Sequence, residues 1–212
     1  MFVKQEQFNA TMDRYTCQSR YKVLGAAVSI INISLQMYLV YRIWPQSIGA
    51  VWQIFALLTA YLLTDLINGL VHMYMDNNDR YNSLAGPLIA NFHLHHKIPQ
   101  YKKNNLFIVY FIETGAKIWL AGYLLLISFT QGLFEVNSVI AHTLVYIGML
   151  SSVAEVSHYL CHNSTSAIAG FLGDTGLLLS KRHHARHHLQ DNANYAFLNG
   201  CTDHLLNRIA AA

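Results

Sequence analysis

Residues 181–188 read Lys-Arg-His-His-Ala-Arg-His-His and hold four of the twelve histidines in this 212-residue chain. If the stretch is helical, His184 and His188 share one face at the spacing i,i+4, and His187 lies beside them. Imidazole is a common nitrogen ligand of iron, zinc and copper, so the pattern favours a metal site. On its own, the stretch would equally suit a solvated basic tract. The choice depends on whether other histidines can reach it.

Three further clusters precede this stretch: His72 with Asp76, His93 with His95 and His96, and His158 with His162. The adjacent pairs His95-His96 and His187-His188 can each reach two neighbouring ions. Eight or more imidazoles are too many for one tetrahedral zinc ion, and they suit two metal ions with open positions. Histidine-rich ligation without thiolates fits iron or zinc on ligand type alone. Iron would bring redox chemistry, whereas zinc would imply hydrolysis or a structural site.

The composition indicates a membrane protein. Charged residues make up 12% of the chain and apolar residues 53%, so charges are at about half their usual share. We predict an all-α integral membrane protein that forms a single domain over residues 1–212. Four transmembrane helices are expected at about residues 24–41, 48–70, 106–129 and 136–157. A cytosolic helical cap, made of residues 71–105 and 158–212, is expected to carry the histidine boxes, and residues 1 to about 20 to form a polar tail.

Four crossings would put every histidine cluster on one side of the membrane. Nearly all lysines and arginines share that side, since only Arg42 lies on the other and Lys117 falls inside a span. The positive-inside rule makes this side the cytosol. We therefore predict a multi-pass protein of the endoplasmic reticulum membrane in a eukaryote, or of the inner membrane in a bacterium. The three cysteines form no CxxC motif and are expected to be reduced, and nothing indicates a nucleic-acid partner.

Ionisable residues inside the spans are further candidates for function. Glu113 lies about two turns into the third span, where it either serves the site or forms an i,i+4 ion pair with Lys117. Glu155 lies one turn before His158, so it could hydrogen-bond a ligand ring or cap the end of the span. Glu113 and Lys117 are the ionisable residues that we identify deep in a span.

The ordered motifs are similar to those of a known family. They are His72-x-x-x-Asp76, Phe92-x-x-His95-His96 with Pro99 just after, Phe111-Ile112-Glu113-Thr114, His158-x-x-x-His162, and Arg182-His183-His184-x-x-His187-His188. Together they resemble the lipid desaturase family, which includes the plasmanylethanolamine desaturases (the Kua or CarF-like branch) and the plant plastid desaturase acting on phosphatidylglycerol. Tyr195, Gly200 and residues 205–209 also resemble the tail of that family, so the resemblance runs from about residue 72 to residue 209.

The resemblance implies a membrane-embedded di-iron enzyme that uses dioxygen and external electrons to desaturate a membrane lipid chain, either fatty acyl or ether-linked alkyl. The implied metal ligands or close neighbours are His72, Asp76, His95, His96, His158, His162, His183, His184, His187 and His188. Asp76 and Glu113 fall on acidic residues of the family and are the implied catalytic candidates. His93 departs from the arginine usual in the ether-lipid branch. It is a possible extra ligand, as are Asp203 and His204, which follow the last cluster closely.

The partners and the rival functions follow from the same residues. No haem, flavin or nicotinamide motif is visible, so electrons are expected from a separate carrier such as cytochrome b5 or ferredoxin. A membrane fatty-acid or sterol hydroxylase would use similar histidine boxes, and the ligand pattern does not separate the two reactions. A non-catalytic metal-handling membrane protein would need ionisable residues along a continuous path through the spans. The predicted cofactors are two iron ions, with zinc as the alternative.

Overall fold

The computed structural model describes residues 2–98, 104–113, 117–190 and 192–211, without the side chains of Phe2 and Val3. These residues form helices and no strands, which confirms the predicted all-α class. The helices are α1 (Phe2–Cys17), α2 (Ser19–Ile43), α3 (Gly49–Asp76), α4 (Gly86–Lys97), α5 (Leu106–Phe111), α6 (Ile118–Leu133), α7 (Ser138–Asn163), α8 (Ala167–Asp174), α9 (Lys181–Leu189) and α10 (Asp203–Ala210). Pro99 and Thr114, which belong to the motifs above, lie outside the described residues.

Three helices are long and apolar enough to cross a membrane, namely α2, α3 and α7. α3 packs along α7, while α2 packs against both α6 and α7. Leu39, Leu124 and Val145 lie in the core between α2, α6 and α7. Large apolar side chains such as Val51 and Phe55 point outward and are exposed. A helix bundle with a buried core and an apolar outer surface is expected where lipid replaces water as the solvent.

The apolar stretch 106–129 is not one continuous helix, and the sequence prediction is wrong on this point. α5 ends at Phe111, and α6 begins at Ile118 and has 16 residues. Two side chains of α2 bond backbone carbonyls at the break. Ser29 Oγ donates to the carbonyl of Ile112 (2.6 Å) and Asn32 Nδ2 donates to that of Lys117 (3.4 Å). Interrupted backbone is tolerated among apolar helices because protein groups satisfy its polar atoms.

The predicted polar tail is helical and packs onto α4. α1 lies against α4, and Phe8 is buried with Tyr81 and Ile89 while Met12 packs at the edge of the same cluster. Lys97 lies over the ring of Phe8, with its Nζ 4.4 Å from the ring centroid. Phe8 and Met12 are four residues apart and therefore share one helix face. That apolar face attaches α1 to α4, although the segment is polar on average.

The C-terminal segment returns to α3. Tyr195, Ala196 and Leu206 form a buried cluster that packs against α3 residues such as Leu66. Gly69 permits this close approach, because a side chain there would overlap Leu206 and come within 3.3 Å of the Ala196 backbone. The segment therefore lies between α3 and the ends of α7 and α9, where the predicted site residues are found.

Candidate metal centre

The predicted site residues converge from four helices, α3, α4, α7 and α9. α3 and α7 contribute from their C-terminal turns. Ser180 caps the N-terminus of α9, and its Oγ accepts a hydrogen bond from the His183 N–H (3.1 Å). The candidates brought together are His72, Asp76, His95, His96, His158, His162, His184, His187 and His188. They fall into three overlapping groups, and within each group the ligand atoms all lie within 4.8 Å of one another.

The first group is built around Asp76. Its Oδ2 lies 3.2 Å from Nε2 of both His72 and His187, and its Oδ1 lies 3.0 Å from Nε2 of His96. His95 completes the group. One carboxylate among four imidazoles forms a mixed oxygen and nitrogen donor set that suits a first-row transition metal.

The second set of imidazoles comes from α7 and α9. The Nε2 atom of His162 lies 3.2 Å from that of His158 and 2.9 Å from that of His184, and the Nε2 atoms of His184 and His188 are 3.1 Å apart. Nitrogens bound about 2.1 Å from one ion lie about 3.0 Å apart at right angles, or about 3.4 Å apart in a tetrahedron. The observed spacings therefore fit ligands around an ion. His95 also groups with His158 and His162, so the two sets adjoin.

Backbone carbonyls orient several of these rings. Nδ1–H groups donate from His72 to Tyr195 (2.9 Å), from His187 to Ala193 (2.8 Å), and from His95 to Phe92 (2.6 Å). Each ring then turns its Nε2 toward the centre, as in metal sites whose ligands are held by outer hydrogen bonds. The Nε2 of His95 is buried and has no hydrogen-bond partner among the residues described, as expected for a nitrogen whose partner is a metal.

Burial favours the neutral form of three of these imidazoles, those of His95, His184 and His188. It lowers the pKa of His188 to about 3, and neighbouring rings, His96 first among them, add to the effect. The pKa values of His95 and His184 also lie well below the usual range. Burial is the larger cause, and the charge of a neighbouring imidazole is the second. Metal ligation needs the neutral ring with a free lone pair. The protein therefore favours the protonation state that binds metal.

Two residues beside the site, Phe197 and Asp65, were not predicted from the sequence. The Phe197 ring stacks on the His158 imidazole, with centroids 4.0 Å apart and planes at 22°, and its edge meets His72 at 5.0 Å. No sequence pattern distinguishes this phenylalanine. Asp65 is fully buried in α3, so the statement that Glu113 and Lys117 are the ionisable residues deep in a span is wrong. A carboxylate within an apolar run was the signal for Asp65.

His183 lies outside the three groups, although the next residue, His184, belongs to one. Its Nε2 lies 2.5 Å from Oδ2 of Asp203, and Gly200 packs against its ring. The Nε2 of His183 is thus engaged by Asp203, whereas the Nε2 of His184 lies among the imidazoles of the second set. His183 and Asp203 therefore form a pair beside the site.

We expect His183→Ala to retain most of the bound metal, whereas His184→Ala should lose metal because its imidazole faces His162 and His188. Elemental analysis of the two purified variants, each compared with wild type, measures the difference. Equal losses from both variants would contradict the placement of His183 outside the groups.

The two remaining extra candidates also lie outside the groups. Both ring nitrogens of His93 are engaged within the protein: Tyr81 donates its hydroxyl to Nδ1 (2.7 Å), and Nε2–H donates to the carbonyl of Met75 (2.8 Å). His204 is exposed, and its Nδ1–H donates to the carbonyl of Cys201 (3.0 Å). His93 therefore ties α4 to the end of α3, and His204 faces away from the centre.

Glu113 lies beside the second set of imidazoles. It lines a small pocket together with Glu155, His158 and His162, and its Oε1 accepts a hydrogen bond from Asn104 Nδ2 (2.9 Å). A second, open cleft of about 500 Å³ is lined by Asp76, His96, His187, His188 and other residues. The centre is thus bordered by a narrow acidic pocket and by a wide open cleft.

Lys117 does not pair with Glu113 as one alternative had it. Its Nζ lies 3.5 Å from Oε2 of Glu155 and donates to Oδ1 of Asn68 (2.9 Å) and to the carbonyl of Ser151 (2.6 Å). The break between α5 and α6 turns this side chain inward, between α3 and α7. A buried ammonium is thereby surrounded by acceptors.

One comparison with known proteins identifies a family. The family model described as the lipid desaturase domain matches residues 61–211, which contain every member of the three groups. No curated protein and no solved structure shows a match to this chain.

Proposed function

The chain belongs to the lipid desaturase domain family, and on this basis we propose that it desaturates a membrane lipid chain with dioxygen at two histidine-bound iron ions. The observation that carries the proposal is the convergence of eight imidazoles and one carboxylate into adjoining groups at the ends of apolar helices. Such a donor set at a membrane face fits redox chemistry on a lipid chain that reaches out of the bilayer.

We assign the nine donor residues to two ions. His72, Asp76, His96 and His187 would hold the first ion, His158, His162, His184 and His188 the second, and His95 lies between them. When bound, two irons would supply the redox chemistry in which dioxygen, two electrons, two protons and two adjacent methylene groups give one double bond and two waters. Iron is preferred to zinc for this reaction because zinc has no redox chemistry.

The protein's own residues hold and shield the centre. Asp76 places a negative charge among the ligands, which offsets the positive charge of bound ions. Phe197 is buried and lies against His158 and His72, and it is proposed to exclude water from that part of the centre. Glu113, oriented by Asn104 in the acidic pocket, is proposed to hold a proton within reach of His158 and His162.

Electrons are proposed to come from an external carrier such as cytochrome b5 or ferredoxin. The open cleft beside His96, His187 and His188 supports this proposal, because it leaves the first group accessible from the polar side. In the proposed arrangement α2, α3 and α7 cross the bilayer, the interrupted α5–α6 pair forms the fourth crossing, and the centre faces the cytosol of an endoplasmic reticulum or bacterial inner membrane.

The test pairs metal analysis of the purified protein with lipidomics of cells that express wild type or His187→Ala. We expect two irons per wild-type chain and an unsaturated lipid that is absent with His187→Ala, because this substitution removes a ligand 3.2 Å from Asp76. Stoichiometric zinc with no lipid change would overturn the proposal. A hydroxylated lipid in place of the unsaturated one would assign the chain to the rival hydroxylase reaction.

A further inference from the structure

Asp65 is a carboxylate residue within the apolar helix α3, a position where charged residues are rare. The residue lies in the middle of α3 and is 0% exposed, and burial of a charge in this way is unfavourable unless strong partners compensate for it. The metal groups do not include Asp65. Its presence therefore requires partners elsewhere in the fold.

Those partners all come from one short loop. Oδ1 of Asp65 accepts hydrogen bonds from the backbone N–H groups of Leu198 (3.1 Å), Asn199 (2.9 Å) and Gly200 (3.2 Å). Oδ2 accepts from both the N–H (3.0 Å) and the hydroxyl (2.7 Å) of Thr202. Hydrogen bonds to an ionised group are about twice as strong as neutral ones. A single carboxylate thus fixes the shape of residues 198–202.

The loop in turn adjoins rings that belong to both proposed ion sites. Phe197, immediately before it, stacks on His158, a proposed ligand of the second ion, and meets His72, a proposed ligand of the first. The carbonyl of Leu198 accepts a hydrogen bond from Ser157 Oγ (2.7 Å), the neighbour of His158. The carbonyl of Tyr195, two residues before Phe197, orients His72.

One face of α3 carries both the contacts with the C-terminal segment and two of the proposed metal ligands. Asp65, Gly69, His72 and Asp76 are spaced at i, i+4, i+7 and i+11, so they lie along one face of the helix. Asp65 and Gly69 receive the C-terminal segment, and His72 and Asp76 contribute ligand atoms. One rigid helix face therefore sets the position of the ligands relative to the segment that orients them.

We propose that Asp65 is a positioning residue of the metal centre, which acts through residues 197–202 to hold His158 and His72 in their binding orientations. The assignment rests on the metal-binding part of the proposed function. Outer partners of metal ligands typically alter affinity by about 10- to 100-fold. Loss of the Asp65 charge should therefore change the metal site itself, in addition to lowering stability.

The experiment titrates the metal-free, detergent-purified protein with Co²⁺, whose visible ligand-field bands report ligand geometry. Asp65→Asn preserves size but removes the charge, so we expect Co²⁺ binding to weaken by about 10- to 100-fold and the bands to shift, while helix content measured by circular dichroism stays unchanged. Gln36→Met is the matched control. It removes buried hydrogen bonds to Gly148 (3.0 Å) and Ser152 (2.9 Å) away from the centre, and it should lower stability with a wild-type Co²⁺ spectrum.

Wild-type Co²⁺ affinity and spectrum in Asp65→Asn would overturn this inference alone. If Asp65→Asn does not fold, Thr202→Val serves as the test variant. It removes only the 2.7 Å hydrogen bond from the Thr202 hydroxyl to Asp65. We expect it to shift the Co²⁺ bands in the same direction as Asp65→Asn would, but by less. An unchanged spectrum in Thr202→Val would then overturn the inference. Absence of Co²⁺ and iron binding by the wild-type protein would overturn the proposed function together with it.

Discussion

Substitution of His95 by alanine is expected to remove most of the metal from both proposed ion sites and to bring formation of the unsaturated lipid to background. His95 belongs to the group around Asp76 and also to the group with His158 and His162, so its loss affects both ions at once. Elemental analysis and lipidomics of cells that express the variant measure the two effects.

His93→Ala is the matched control for His95→Ala. The two residues are neighbours on α4, but both nitrogens of His93 bond to Tyr81 and Met75. We expect this variant to lose about 1–3 kcal/mol of stability through an unsatisfied buried partner, while it keeps its metal. If His95→Ala retained both ions, or if His93→Ala lost them, the assignment of ligands on α4 would be wrong.

Lys117→Met should produce the largest loss of stability among substitutions outside the metal centre. The side chains of Lys117 and Glu155 are both largely buried and lie 3.5 Å apart. Removal of one partner of a buried ion pair typically lowers the free energy of unfolding by about 3–5 kcal/mol, because the remaining buried charge loses the favourable interaction with that partner. Thermal unfolding in detergent, followed by circular dichroism, measures the change.

The double variant Lys117→Met/Glu155→Gln tests the cause of that loss. It removes both charges, so we expect it to be more stable than the Lys117→Met single variant. A double-mutant cycle that includes Glu155→Gln isolates the coupling between the two residues. Strictly additive effects would show that the ion pair does not account for the loss.

The sequence predicted helix spacing well where the information is local. His158 and His162 face the same way because they are four residues apart on α7, and His184 and His188 do so on α9 for the same reason. The apolar runs that became α2, α3 and α7 were visible for an equally local reason, since length and composition suffice to identify them.

Other features depend on neighbours that are distant in the chain. The break between α5 and α6 is stabilised by Ser29 and Asn32 of α2, and hydropathy cannot detect partners on another helix. The tail became α1 because Phe8 finds an apolar cluster around Tyr81. The family resemblance made His183 a ligand candidate beside His184, and only the orientation of α9 against α7 separates the two.

By itself, the sequence determined that the chain is helical, that it carries apolar helices of membrane-spanning length, and that its imidazoles come in pairs suited to metal, because these properties follow from residue type and spacing along one helix. The tertiary structure decided which imidazoles converge, that Phe197 lies against two of them, and that Asp65 anchors the loop beside them. These contacts join residues up to 137 positions apart, and their energy depends on how the helices pack.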